Sequence, residues 1–161
     1  MKTLLVLRHA KSSWDNPAMT DHERTLNKRG RKAAPRMGQL LVNNGLVPQL
    51  VLCSSARRAR ETAELLFQVP GFESRIVHLD ELYLAPSKAY YRMLSAHTTD
   101  QKIVMVIGHN PGLEDLVDEL TGEPATMPTA AVARIALDCW QNLAADAGGR
   151  LVNHWLPREL D

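Results

Sequence analysis

Four short runs rich in branched aliphatic residues, each followed by a segment of helical period, organise most of this chain. The runs are Thr3 to Leu7, Leu50 to Cys53, Arg75 to Leu79 and Ile103 to Ile107. Short apolar runs bounded by polar residues are the pattern of strands buried on both faces. Between them the period lengthens to that of a helix. Lys28 to Asn44 reads as a helix with Leu26 as a staple, Asn27 as N-cap and Gly45 as the stop. Its buried face is expected at Ala33, Met37, Leu40 and Leu41. Arg57 to Phe67 is a second helix, with Ala59, Thr62, Ala63 and Leu66 on one side and Ser54 or Ser55 placed to cap it. A third runs from Ser87 to Ala96 and packs Ala89, Tyr90, Met93 and Leu94. The fourth has Asn110 as N-cap, Pro111 at the first helical position, apolar Leu113, Leu116, Val117 and Leu120, and Gly122 as its stop.

Strands alternating with helices predict a parallel sheet covered on both faces. After Pro128 the pattern changes. Ala131 to Leu137 and Leu151 to Leu156 read as two further strands, joined by a loop that ends in Gly148-Gly149. The expected fold is a three-layer α/β/α domain over residues 1–161, with a mostly parallel central sheet and an antiparallel C-terminal edge.

The bulk composition narrows the function by exclusion. The chain has 161 residues, 45% of them hydrophobic and 23% charged, which is an ordinary globular balance. Lysine plus arginine is 19 and aspartate plus glutamate is 18, a net charge of +1. That balance gives no reason to expect nucleic acid or an anionic membrane as partner, so any preference for anions must come from local clustering. Cys53 and Cys139 lie far apart, which argues against a disulfide framework and fits a reducing compartment. The apolar run Leu4 to Leu7 is too short for a signal peptide, and no stretch is long enough to cross a membrane. The cytoplasm is the default expectation, and nothing in the sequence demands more than a monomer.

Two of the strand-like runs end abruptly in chemistry, the first at Arg8-His9 and the fourth at Gly108-His109. In open α/β sheets, ligands bind just beyond the carboxyl ends of strands. A third segment, Ser54-Ser55-Ala56-Arg57-Arg58-Ala59-Arg60-Glu61-Thr62-Ala63, follows the second strand at once. Its arginines fall in the first turn of a helix, where the dipole disfavours cations. The placement makes sense if an anion sits there, held by free N–H groups and guanidinium groups. The alternative is a solvated basic turn, which costs a few tenths to ~1 kcal/mol. The polar loop from Lys11 to Leu26 is long for a strand-to-helix connection, and long loops are often functional.

In this order, the segments resemble the histidine phosphatase superfamily, the phosphoglycerate-mutase-like proteins, over nearly the whole chain. The Arg-His opening motif falls on Arg8-His9, the Arg-Ala-x-x-Thr-Ala motif on Arg58-Ala59-Arg60-Glu61-Thr62-Ala63, and the late Gly-His on Gly108-His109. The subgroup they most resemble is that of the short SixA-type phosphohistidine phosphatases. Leu7-Arg8-His9-Ala10-Lys11-Ser12, Arg24-Thr25-Leu26-Asn27-Lys28-Arg29-Gly30 and Glu81-Leu82-Tyr83-Leu84-Ala85 carry that likeness. The longer mutases insert a lid after the Arg-Ala-x-x-Thr-Ala helix. Here only about ten residues are available before the next strand, too few for one. Ala10 stands where the superfamily often has glycine, a substitution that suits only a backbone without positive φ.

The resemblance implies that His9 attacks phosphorus and carries a phosphohistidine intermediate. It also implies that Arg8, Arg58 and His109 clamp the phosphate, with Arg24 as a further contact. Glu81 is the positional match for the superfamily's proton donor. His109 would help most if protonated, which a bound dianion favours. The implied activity is hydrolysis of phosphohistidine in proteins. The alternatives are a small-molecule phosphatase acting on a phosphorylated sugar or metabolite, and a phosphate-binding regulatory module without turnover. No cofactor is implied. His22, His78, His97 and His154 lack partners at ligand spacing, so no metal site is expected. Trp14, Trp140 and Trp155 read as packing or surface aromatics, with a place at the rim of the site as the alternative for Trp14. The run Lys28-Arg29-Gly30-Arg31-Lys32 reads as a solvated helix start, with contact to an acidic partner as the alternative.

Overall fold

The strand that begins the chain, β1 (Lys2–Arg8), becomes the interior of a six-stranded sheet. In the computed structural model, which describes residues 1–160, the other strands are β2 (Leu50–Ser54), β3 (Arg75–Leu79), β4 (Ile103–Gly108), β5 (Val132–Leu137) and β6 (Arg150–Trp155). Their spatial order is β3-β2-β4-β1-β5-β6. The four strands from β3 to β1 are parallel, and β5 and β6 each pair antiparallel with the preceding strand in that order. The expected architecture is therefore present, including its antiparallel edge.

Four helices cover the sheet: α1 (Lys28–Asn43), α2 (Arg57–Phe67), α3 (Ser87–His97) and α4 (Gly112–Thr121). Side-chain alternation along the strands divides the interior into two cores. Leu5, Leu7, Val51, Cys53, Met105 and Ile107 pack beneath α1 and α2. Leu4, Val6, Leu52, Val104 and Val106 pack beneath α3 and α4. Because Leu4 to Leu7 of β1 and Val104 to Ile107 of β4 are covered on both sides, both faces of these segments are apolar, which is why the sequence shows continuous runs there.

Two local expectations are corrected. The buried residues of α1 are Gly30, Ala34, Met37, Gly38 and Leu41, while Ala33 and Leu40 are half-buried. The face turns toward its glycines because the helix packs closely there. A Cβ on Gly38 would lie 3.0 Å from Val69 and 3.2 Å from Leu66. Asn110 does not cap α4, whose N-cap position is Pro111. The Asn110 amide instead donates to the Met127 carbonyl at 2.8 Å and to Glu114 Oε2 at 3.1 Å. Asn27 caps α1 as expected, accepting from the Gly30 N–H at 2.9 Å. Among the described residues no helix is long and apolar enough to cross a membrane.

Candidate active site

The register of two neighbouring strands brings the two histidines together. β1 and β4 run parallel, with Arg8 opposite Gly108, so His9 and His109 leave the sheet side by side. The His9 N–H donates to the Gly108 carbonyl at 3.2 Å, and the imidazole centroids stand 5.2 Å apart. On the other side of β4, β2 ends at Ser54, whose hydroxyl accepts from His109 Nε2 at 2.7 Å. The same hydroxyl accepts from the Ala56 N–H at 3.2 Å. Neither Ser54 nor Ser55 caps α2, which starts from Ala56 without a side-chain cap.

Of the three arginines at the start of α2, one is committed to the site. Arg58 is buried, and its Nε and Nη2 lie 3.4 Å from His9 Nε2 and His109 Nδ1. Arg57 pairs instead with Glu61 at 3.4 Å and Arg60 with Glu23 at 3.8 Å. The long loop after β1 folds back over Arg58 through a short 3₁₀ turn, Asp21–Glu23. Arg58 donates to the Asp21 carbonyl at 2.7 Å and to its carboxylate at 3.1 Å. Tyr83 donates its hydroxyl to the same carboxylate and stands edge-on to His109 at 5.6 Å.

These contacts set the proton positions. His9 Nδ1 lies 2.8 Å from the Ala10 carbonyl, which can only accept, so Nδ1 carries the proton and Nε2 presents its lone pair. His109 donates from Nε2 to Ser54, leaving Nδ1 to accept from Arg58. Burial pushes the His9 pKa down to about 3, reinforced by His109, Arg58 and Arg8 and opposed by the Ala10 carbonyl. Burial also lowers His109 to about 3, aided by the Arg58 charge. Both rings are neutral in the free protein at neutral pH. The expected imidazolium at His109 thus requires an anion to arrive first. Desolvation raises the Asp21 carboxyl, but bonds from Tyr83 and Arg58 outweigh it and hold the group below its ordinary range.

The space between these groups is a cavity of about 200 Å³, lined among others by Arg8, His9, Arg24, Arg58 and His109. Arg24 is buried, stacks 3.4 Å above the Trp14 ring and donates to the Ser12 hydroxyl at 2.6 Å. Arg8 Nε and Arg24 Nη1 are buried with no hydrogen-bond partner, an arrangement that leaves guanidinium donors for an oxyanion. The rim carries two exposed apolar side chains, Trp14 at 74% and Leu84 at 56% exposure.

Sequence and structure differ most around Glu81. It lies exposed on the turn Asp80–Leu82 and is not part of the pocket lining. The same segment turns Tyr83 and Leu84 toward the site instead. Asp21 is not legible as a site residue in the sequence, because a loop carboxylate without a motif carries no signal, and Tyr83 stands in the quoted Glu81 to Ala85 segment without a role of its own. Ala10 fits without strain: its φ is not positive, and its N–H donates to Thr62 Oγ1 at 3.0 Å. Thr62, the threonine of the Arg-Ala-x-x-Thr-Ala segment, thereby ties α2 to the residue after His9. Gly108 is required by packing, since a Cβ there would lie 1.9 Å from the Tyr90 hydroxyl. That hydroxyl accepts from the His109 N–H at 3.2 Å. Among the described residues no three His, Cys, Asp or Glu side chains are grouped to hold a metal ion.

Comparison with known proteins agrees with this geometry. The profile of the histidine phosphatase superfamily (branch 1) matches residues 4–83. A structure of the candidate phosphohistidine phosphatase SixA from Agrobacterium tumefaciens is 30% identical, with a TM-score of 0.83 over 97% of this chain and 98% of that one. The protein histidine phosphatase SixA in complex with tungstate is 26% identical, with a TM-score of 0.81 over 99% of each chain. An uncharacterized chloroplastic protein of Arabidopsis thaliana is 33% identical over 158 residues, 91% of this chain and 72% of its own. Fold and family together define a phosphatase. The chain belongs to the histidine phosphatase superfamily, and its structure is SixA-like.

Proposed function

We propose that this protein hydrolyses phosphohistidine in proteins, with His9 as nucleophile. The observation that carries the reading is a neutral His9 Nε2 facing a guanidinium-lined pocket in which the lining carboxylate, Asp21, is held ionised. An ionised carboxylate cannot protonate a leaving group. A phosphate ester releases an alkoxide and needs such a proton. Phosphohistidine protonated on the ring nitrogen that does not carry phosphorus, an imidazole-type group that titrates near neutrality at about 6.5, releases a neutral imidazole with no proton from the enzyme. The chemistry therefore suits P–N cleavage better than P–O cleavage, and Glu81 takes no part in it.

In the first step His9 Nε2 attacks phosphorus in line as the P–N bond to the substrate imidazole, protonated on its other nitrogen, breaks and releases neutral imidazole, while His9 keeps its Nδ1 proton on the Ala10 carbonyl. Arg8, Arg58 and Arg24 neutralise the equatorial oxygens. His109 takes up a proton at Nδ1 when the dianion binds and donates it to a phosphate oxygen. Water then attacks the phosphohistidine on His9, releasing phosphate and restoring the free imidazole. Exposed Trp14 and Leu84 at the mouth, and a connection of only residues 68–74 between α2 and β3, leave room for a macromolecular substrate.

The test is turnover of a histidine-phosphorylated carrier protein alongside a panel of sugar and metabolite phosphates. His9→Ala is expected to abolish turnover, and the trapped wild-type adduct to be acid-labile and alkali-stable. Turnover of the metabolites alone would overturn the reading in favour of a small-molecule phosphatase. Phosphate binding with no turnover of any substrate would make the protein a regulatory module.

A further inference from the structure

Next to the phosphate pocket lies a larger groove of about 680 Å³ that the proposed chemistry does not use. The two share Arg8, Lys11, Asn110 and Thr129. Six cationic residues line the groove: Arg8, Lys11, Arg29, Lys32, Arg36 and Arg158. Among the described residues its only carboxylate is Glu114, which is already engaged by the Met127 N–H at 2.7 Å and the Asn110 amide at 3.1 Å. In a chain of net charge +1, this is strong local clustering.

The arrangement on α1 opposes the stability of that helix. Arg29, Lys32 and Arg36 follow one another at spacings of three and four, which stacks like charges on one face. The first turn contains no acidic residue, and Arg29 sits there, at the end of the helix dipole that disfavours cations. Lys11, Arg29 and Lys32 are exposed and make no ion pair among the described residues. An anionic partner would offset the charges of Lys11, Arg29 and Lys32 together.

We propose that this groove is a docking surface for acidic residues flanking the phosphohistidine of a protein substrate. The inference rests on the proposed function and adds to it a charge preference outside the reacting group. The form of the groove favours a protein segment over a compact polyanion. Its cations sit on long exposed side chains spread along about 10 Å of α1 rather than converging on one point. They start at Arg8, which also faces the phosphate, so a segment leaving the phosphohistidine passes directly over them. Complementary charge of this kind acts chiefly on encounter and orientation, and salt screens it.

The experiment uses two synthetic peptides that carry one phosphohistidine each and differ only in flanking residues, aspartate and glutamate in one, asparagine and glutamine in the other. Wild-type protein is expected to favour the acidic peptide by about tenfold in kcat/KM at low salt, the preference shrinking as salt is added. Arg29→Glu/Lys32→Glu is expected to erase or invert that preference while hydrolysing p-nitrophenyl phosphate as the wild type does. Both changes are at exposed positions outside the phosphate pocket. Equal turnover of the two peptides by wild type, or an unchanged preference in the variant, overturns the docking surface and leaves the proposed function standing. Failure of wild type on both peptides, with p-nitrophenyl phosphate still hydrolysed, overturns the proposed function and the docking partner with it. A loss in the variant that is equally large for a doubly phosphorylated sugar points to a small polyanion and also overturns the proposal.

Discussion

Arg58 reaches the phosphate pocket only because other side chains hold it there. It is buried, its guanidinium lies against two neutral imidazoles, and its counter-charge comes from Asp21, a residue brought from a distant loop. Asp21→Asn keeps the shape and removes the charge. It is expected to lower kcat/KM about tenfold by letting Arg58 move off the reacting position. If Asp21 acts through Arg58, the same change made on an Arg58→Ala background has no further effect, and a steady-state comparison of the four proteins decides this. Thr62 is the second such residue. Its hydroxyl accepts from the Ala10 N–H at 3.0 Å and donates to the Arg58 carbonyl at 2.7 Å. Thr62→Val strands a buried N–H beside His9, with an expected loss of about 1–3 kcal/mol in chemical denaturation.

At the scale of elements, the active site depends on how α1 docks on the loop that leaves β1. Asn27 donates its N–H to the Lys11 carbonyl at 2.9 Å, and Ser12 forms an isolated bridge with Leu26. Gly30 lies in the first turn of α1 against the same backbone. A Cβ there would come within 2.2 Å of the Lys11 carbonyl oxygen, and neither partner can rotate away because both are backbone. Gly30→Ala is therefore expected to push the helix start off the loop at a cost of about 1–3 kcal/mol. It should also weaken phosphate binding, since Lys11 and Ser12 line the pocket. Thermal denaturation with and without phosphate checks both effects, and an unchanged midpoint would contradict the packing argument.

For the molecule as a whole, the two buried histidines tie stability to pH. In the unfolded chain an imidazole takes up its proton near pH 6.5, whereas in the folded protein burial defers protonation of His9 and His109 to about 3. Between these values the unfolded state binds more protons, so stability is full above the unfolded pKa and is lost as pH falls toward the folded one. The melting temperature is expected to drop steadily from pH 6.5 to pH 4. The double variant His9→Asn/His109→Asn, lacking both groups, should show a shallower drop. If the pocket holds phosphate as proposed, phosphate stabilises the folded state alone and is expected to raise the melting temperature at every pH where the site still forms.

The sequence by itself determined the layers, the order of strands and helices along the chain, and the placing of Arg8-His9 and of Gly108-His109 each at the end of a strand, though not that those two strands are neighbours, which came from the fold. Those features are local: apolar runs, caps such as Asn27 and stops such as Gly122, all legible within a few residues. The charged clusters were legible as clusters too. Only tertiary structure decided which of their members line the pocket. Among Arg57, Arg58 and Arg60 the choice fell on Arg58, because the helical turn directs that residue inward while its neighbours meet Glu61 and Glu23. In the segment from Glu81 to Ala85 the direction of a short turn set Tyr83 and Leu84, and not Glu81, toward the pocket. Asp21 and the basic groove along α1 arise from contacts between segments distant in the chain. No period or motif encodes such contacts, because they depend on where a long loop comes to rest.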